Sequence, residues 1–481
     1  MNGAMFALAP LLVTGVGACL ALLLGSFGGR RLRGVTNGMA LALSAFAFAL
    51  AAMALPSASA TTYFSDMWVA DRMAFVLDLV IAATAAVSLA VFQPFMREHE
   101  CDRGELPSLI LFVSAGMIMV VHSAHLLSLL IGIETMSMAA YILVASRRRS
   151  GQGAEAALKY FLMGAMATGF FVYGLALVYG TTGGELAFSA IAKRAGQAGG
   201  NPLFIVGVYL ILAALLFKVA AVPFHMWLPD AYEGAPTPVT GFMAAGIKVA
   251  SMGALLRLLG SVFVHPSLAL GHAGWVRTLS LIAFATMTLA NLAALRQDSI
   301  KRMLAYSSIA HAGYLLVGIL AMGLGTRSAQ ASVIFYLAAY AGTTLGAFAL
   351  LGWVGKRGDE RLRIDDWAGL ARQRPVVAFL MTLFMLSLAG VPPTGGFFAK
   401  FYVFRGAVER PELVWLVVAG VLNSVISVYY YLRVVVAMYF RDSRAEFDAY
   451  PSIATAIVVI VLAAIVLGLG IVPAPVLALV N

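Results

Sequence analysis

Apolar runs of about twenty residues, the length that crosses roughly 30 Å of hydrocarbon as a helix, recur along the whole of this 481-residue sequence. They predict transmembrane helices near 5–27, 35–55, 73–95, 107–121, 124–146, 156–180, 203–225, 236–260, 275–295, 302–324, 329–353, 375–403, 412–440 and 452–475. Only 11% of the residues are charged, against about 25% in a soluble globular protein. No polar stretch is long enough for a separate soluble domain. The fold class is therefore all-α integral membrane, one polytopic domain of about fourteen transmembrane helices.

The net charge of +10 belongs to short membrane loops and does not point to nucleic acid. Twenty Lys and Arg lie in loops after odd-numbered helices and eight after even-numbered ones. That bias places the odd loops inside and both termini outside, on the periplasmic side in a bacterium. The opening segment lacks a positive n-region and an A-x-A-type cleavage site, and reads as a retained helix. Cys19 and Cys101 give neither a disulfide framework nor a metal pattern. Segments 182–202 and 356–374 are long enough to lie flat at the interface, and 56–72, with Tyr63, Phe64 and Trp68, suits a small outer hairpin.

The chemistry lies in charges that a bilayer disfavours. Glu134, Lys218 and Lys248 sit deep in their spans, and Lys400 follows the interrupted stretch LAGVPPTGGFFA. Each costs roughly 2.5–3.5 kcal/mol at a helix centre on insertion scales. Pairing, internal water or a neutral amine must offset this. Pro223 and the Pro392–Pro393 pair break two helices and free backbone carbonyls, among them those of Val219, Leu388 and Ala389. Irregular backbone at membrane depth survives only where protein buries it or a water-filled cavity lines it, and paired broken helices mark a transporter's substrate path. A proton is the substrate that fits. His225 and His311 are further proton carriers. Lys159 either joins them or snorkels to the interface. Asp78 is expected at the interface, and His122 with His125 has no third ligand beside it for a metal. Nucleotide-binding motifs and iron–sulfur cysteine clusters are absent from the sequence.

Three stretches carry a resemblance: LLFKVAAVPFHMWLPDAYEGAPTPVTGFMAAGIKVA at 215–250, RQDSIKRMLAYSSIAHAGY at 296–314, and LAGVPPTGGFFAKFYVF at 388–404. With them the chain resembles the antiporter-like membrane subunits of respiratory complex I along essentially its whole length. The resemblance implies three leading helices (1–106), two inverted five-helix repeats (helices 4–8 within 107–260 and 9–13 within 275–440), each with a broken helix (7 and 12), and a last helix at 452–475. It implies that Glu134 pairs with Lys218, that Lys248 connects the halves, and that Lys400 serves the second half-channel. It implies other membrane subunits as partners, in a bacterial inner membrane. NADH, FMN, iron–sulfur clusters and quinone are expected in those partners, with no cofactor bound by this chain. An Mrp-type sodium/proton antiporter shares the motifs, and a non-pumping scaffold is the remaining alternative.

Overall fold

The computed structural model describes residues 2–147, 150–271, 274–356, 359–442, 447 and 452–480. Arg148, Arg149, Arg357 and Arg444, counted among the basic loop residues, lie outside the described residues. The first half comprises α1 (Asn2–Phe27), α2 (Gly29–Ala54), α3 (Arg72–Glu98), α4 (Leu106–Val121), α5 (Leu126–Val144), α6 (Gly151–Thr181), α7 (Phe188–Ala198), α8 (Pro202–Lys218), α9 (Trp227–Gly234), α10 (Thr237–Phe242) and α11 (Lys248–Arg257). The second comprises α12 (Pro266–Ala269), α13 (Trp275–Leu295), α14 (Ile300–Gly323), α15 (Ala329–Trp353), α16 (Leu370–Gln373), α17 (Pro375–Ala389), α18 (Gly395–Val408), α19 (Val414–Phe440), α20 (Ile453–Ile471) and α21 (Ala474–Val480).

Eleven of the described helical stretches are long and apolar enough to cross a membrane, and three shorter apolar ones are α4, α8 and α17. The last two are short because each is the first part of a broken helix. The 56–72 segment forms the expected hairpin, with β1 (Thr61–Tyr63) antiparallel to β2 (Trp68–Ala70). Within 182–202, α7 buries Phe188, Ile191, Ala195 and Ala198 on one face. The 356–374 loop departs from a single flat helix. It makes a small β3–β4 hairpin (Gly355–Lys356 with Asp359–Glu360), a 3-10 turn at Ile364–Trp367 and α16.

Helix starts follow local chemistry. Side chains of Asp71, Ser150, Asn201, Ser299 and Ser452 accept from backbone N–H groups two or three residues on, satisfying donors that the first turn leaves free. Close helix crossings rest on glycine, because apolar side chains gain nothing from leaving lipid and backbones must approach for dispersion to act. A Cβ on Gly116 of α4 would stand 2.4 Å from the Met136 nitrogen of α5, and one on Gly174 of α6 would stand 2.7 Å from the Gly207 carbonyl of α8.

The two breaks share a plan. After α8 the chain turns at Ala220 (φ +58) and after α17 at Gly390 (φ +87), and each turn is followed by a cis-proline, Pro223 and Pro393. Groups freed there find partners. Thr286 of α13 accepts from the Val222 N–H at 3.0 Å, and Trp227 Nε1 donates to the Phe217 carbonyl at 2.9 Å. The second break is covered by α20, where a Cβ on Gly470 would meet the Pro393 carbonyl at 2.1 Å. At the centre, α10 and α11 are joined by a π-helical stretch, Met243–Ile247, and a second, Leu258–Val262, follows α11. This stretch, α14 and α15 are almost wholly buried, while α1, α2, α6, α19 and α20 expose broad apolar faces.

A buried ionic cluster ties the halves together at the odd-loop end. The Glu360 side chain, 4% exposed, accepts from Arg147 just beyond α5 and from Thr237 at the start of α10, and stands 3.8 Å from Lys301 Nζ of α14. Lys301 also donates to the Ala235 carbonyl at 2.5 Å.

Candidate functional site

Lys218, Lys248, Lys400 and His311 are at most 6% exposed, and each is held by neutral hydroxyl or carbonyl oxygens rather than by carboxylates. Lys218, the last residue of α8, donates to Ser137 Oγ of α5 at 2.7 Å, with the Tyr141 ring 5.8 Å away. Lys248, the first residue after the π-helical stretch, donates to the carbonyl and hydroxyl oxygens of Ser308, the hydroxyl at 2.5 Å, and faces the Tyr340 ring at 4.8 Å. A cavity lined by Lys218, Val219, Trp227, Tyr232, Met243 and Lys248 lies between the two amines, at the lower limit for one water molecule.

From Lys248 the polar row continues through α14. His311 Nδ1 is 2.6 Å from the Tyr336 hydroxyl and Nε2 is 3.2 Å from the Tyr431 hydroxyl, which also bonds Ser307. A second water-sized cavity is lined by His311, Tyr336, Tyr340, Thr343, Ser387 and Ala399. Beyond it Lys400 donates to the Ala389 carbonyl and to Ser424 Oγ, both at 2.8 Å. The Ala389 carbonyl is one that the second break was expected to free. Lys218 precedes its break and Lys400 follows its own, yet Lys400 folds back, so both ammoniums sit at a break.

The expected Glu134–Lys218 ion pair is not formed in direct contact. Glu134 is only half-buried, on the outer side of α5 beside exposed Ile131 and Met138. Its carboxylate accepts from Thr168 Oγ1 of α6 at 2.5 Å. Lys218 bonds the same helix at Ser137, three residues on and on the neighbouring strip of its surface. A residue in mid-span can face outward, and the apolar sequence around Glu134 on all sides hid which way it points.

Three further expectations are corrected or narrowed. Lys159 is 48% exposed and bridges Glu155 at 2.7 Å and Asp230 at 3.0 Å, outside the buried row. Asp230, in the first turn of α9, also pairs with Arg302 at 3.2 Å. Exposed pairs of this kind carry little energy, and Lys159→Gln should leave the thermal melting curve in detergent superimposable on that of wild type. His225 stands partly exposed on the far flank of the first break and does not line the cavity beside Lys218. Asp78 lies within the protein near the even-loop end of α3. It is 1% exposed and hydrogen-bonded to His122 at 2.8 Å.

Sequence reasoning missed the hydroxyl groups that complete the row: Ser137, Tyr336, Tyr340, Ser424 and Tyr431. A lone serine or tyrosine in a span is cheap to bury once hydrogen-bonded, so nothing in the sequence singles these out. It also missed a buried amide–phenol knot beside the row, where Asn291 donates to the Tyr314 hydroxyl at 3.0 Å and accepts from Tyr430 at 2.9 Å.

Residues 123–427 match the family described as NADH:quinone oxidoreductase/Mrp antiporter, transmembrane. The chain is 46% identical to NADH-quinone oxidoreductase subunit N of Trichlorobacter lovleyi, over 86% of this chain and 84% of that protein. It is 45% identical to subunit N 1 of Sorangium cellulosum, over 92% and 90%. Its fold superimposes on a chain of respiratory complex I from Thermus thermophilus with bound aureothin, with a TM-score of 0.82, 33% identity and 98% of each chain covered. A chain of the Mrp complex from Dietzia sp. DQ12-45-1b shares the fold, with a TM-score of 0.84, 22% identity, and 98% of this chain and 96% of that one covered.

Proposed function

Because this chain belongs to the NADH:quinone oxidoreductase/Mrp antiporter transmembrane family, we propose that it is a proton-translocating membrane subunit of a bacterial NADH:quinone oxidoreductase. Its partners are the other membrane subunits of that complex. The observation that carries the reading is the row of buried amines, imidazole and hydroxyls running from one helix break to the other, with two water-sized cavities between them. NADH, FMN, iron–sulfur clusters and quinone belong to partner subunits, and quinone reduction there supplies the energy. The loop-charge asymmetry supports both termini on the periplasmic face of the inner membrane.

The chemistry follows from the surroundings of each group. Burial favours a neutral amine and a nearby carboxylate favours an ammonium, so small movements between Lys218 and the Glu134 side of α5 alter proton affinity. Lys248 passes the proton across the Ser308–Tyr340 cluster to His311, whose two nitrogens contact two phenols, and Lys400 receives it at the second break. Moving one charge against about 150 mV costs roughly 3.5 kcal/mol. A change in proton affinity of about 2.5 pKa units supplies that. Sodium is a poorer cargo, since hard cations need several oxygen ligands, commonly carboxylates, and the row is built on amines.

The test is the reconstituted complex carrying Lys400→Arg. The guanidinium keeps the charge but does not deprotonate, and Lys400 Cδ already lies 3.0 Å from where a Cβ on Gly390 would stand. NADH-driven proton translocation should fall several-fold with assembly intact. Wild-type pumping by the arginine variant, or sodium exchange by wild type without NADH or quinone, would overturn the assignment.

A further inference from the structure

Away from the lysine row, near the β1–β2 hairpin, lies a buried acid–base pair that the proposed path does not use. Asp78 Oδ2 stands 2.8 Å from His122 Nε2, with both side chains at most 1% exposed. His122 Nδ1 is 2.7 Å from the Val69 carbonyl of β2. A carbonyl only accepts, so Nδ1 carries a hydrogen and the pair shares one further proton between Nε2 and Oδ2. The Trp68 indole stacks on the imidazole, with centroids 4.2 Å apart and planes 8° from parallel, and Phe75 meets its edge. A stacked indole favours a cationic ring.

Two features distinguish this pair from a closed structural hydrogen bond. Asp78 Oδ1 and Trp68 Nε1 are buried without hydrogen-bond partners among the described residues, and an unused carboxylate oxygen at such depth is a cost that packing alone does not explain. The cluster is also tied to the lysine row. Asp71 and Arg257 are the charged groups beside it, while α3 also carries exposed Arg72 and, at its far end, Arg97 and Glu98, and α11 carries Lys248. Arg257 grips Asp71 at 2.7 and 3.0 Å and donates at 2.9 Å to the Val121 carbonyl, next to His122. Arg257 is the last residue of α11 and Lys248 is its first, with π-helical stretches on both sides. Such stretches in an otherwise α-helical run accompany functional sites, and here they leave α11 as a short rigid rod between the two clusters.

We propose that Asp78 and His122 form a second proton-binding site, on the even-loop side of the membrane, loaded and emptied in step with Lys248 through the α11 rod. Loading adds one proton at Asp78 Oδ1 and turns the pair into a carboxylic acid beside an imidazolium. Emptying removes that proton from the same oxygen and restores the single shared proton. The proposal rests on the proton-transfer reading of the row.

The test uses the intact complex in proteoliposomes. Asp78→Asn and His122→Gln keep size and hydrogen-bonding capacity but remove the titrating groups. NADH-driven pumping should fall at least about tenfold, a change equivalent to about 1.4 kcal/mol in the barrier, with assembly unchanged. Infrared difference spectra between NADH-reduced and oxidised complex should show a carboxylic-acid C=O band that Asp78→Asn removes. Pumping within about twofold of wild type in both assembled variants, or the absence of that band, makes the pair static and overturns the site. Failure of both variants to assemble does the same. A parallel Lys248→Met complex separates the two ideas: if it also pumps normally the row itself falls, and if it alone is impaired only the second site falls.

Discussion

Exchanging Lys248 for methionine should lower proton translocation by the assembled complex at least about tenfold, a change equivalent to about 1.4 kcal/mol in the barrier. Methionine matches the lysine stem in length and flexibility, so the packing of α11 against its neighbours is kept and only the amine is removed. Lys248 is the amine that faces both cavity-lined stretches of the row. It lines the cavity shared with Lys218, and Ser308, which it contacts, lies one turn before His311. Removing it interrupts the route at a place where no other buried amine is in hydrogen-bond contact. Ser308→Ala should cost less, because the Ser308 carbonyl still accepts from the lysine. Proton-to-NADH ratios and initial pumping rates measured on the same vesicles check this. Unchanged values in the methionine variant would mean that protons bypass α11.

Glu360→Gln should destabilise the chain by about 3 kcal/mol, the lower end of what breaking a buried ion pair costs. It leaves Lys301, 1% exposed, and Arg147 beside each other without their carboxylate. Burial by itself would raise the Glu360 carboxyl, but Lys301 and Arg147 together with the Thr237 hydroxyl hold it below the ordinary carboxylate range. A folded-state affinity lowered in this way contributes stability that is complete above the unfolded value, about 4.3. That contribution is lost as pH falls through the folded value. Wild-type complex in detergent should therefore lose thermal stability on acidification below about pH 4 more steeply than Glu360→Gln, whose deficit is already present at pH 7. Parallel melting curves in the two variants across that range would show that the cluster contributes nothing.

The fold was legible because apolar length is a signal that each span carries by itself. Every expected span contains a helix, and the prolines marked both breaks to within a few residues. The lysines were legible for the same reason, since an ammonium in a run such as ILAALLFKVAAVPF stands out against its neighbours. What the sequence did not carry was rotation about each helix axis. Glu134 and Ser137 are three residues apart on neighbouring strips of α5, yet one bonds Thr168 of α6 and the other Lys218 of α8. The burial of Asp78 was not legible because distance from a helix end measures depth along the axis only. The hairpin that closes over His122 adds cover that no hydropathy window contains. Glu360 escaped notice altogether, since it lies in a basic loop and is buried by residues distant in sequence.

The packing of α20 over the second break has a consequence for how the chain is made. Gly395 and Pro393 lie directly against Leu469 and Gly470, so the irregular backbone between α17 and α18 is closed on that side when the penultimate helix of the described structure arrives. Translation at about 5–20 residues per second delivers that helix on the order of ten seconds after Pro393 has been polymerised. During that interval a half-built channel stands at membrane depth with its turn uncovered on that side, a situation that lipid tolerates poorly. The insertion machinery, or a neighbouring subunit already in place, therefore has to shelter the nascent turn. Biogenesis, more than turnover, is where alterations to Gly470 should be felt first.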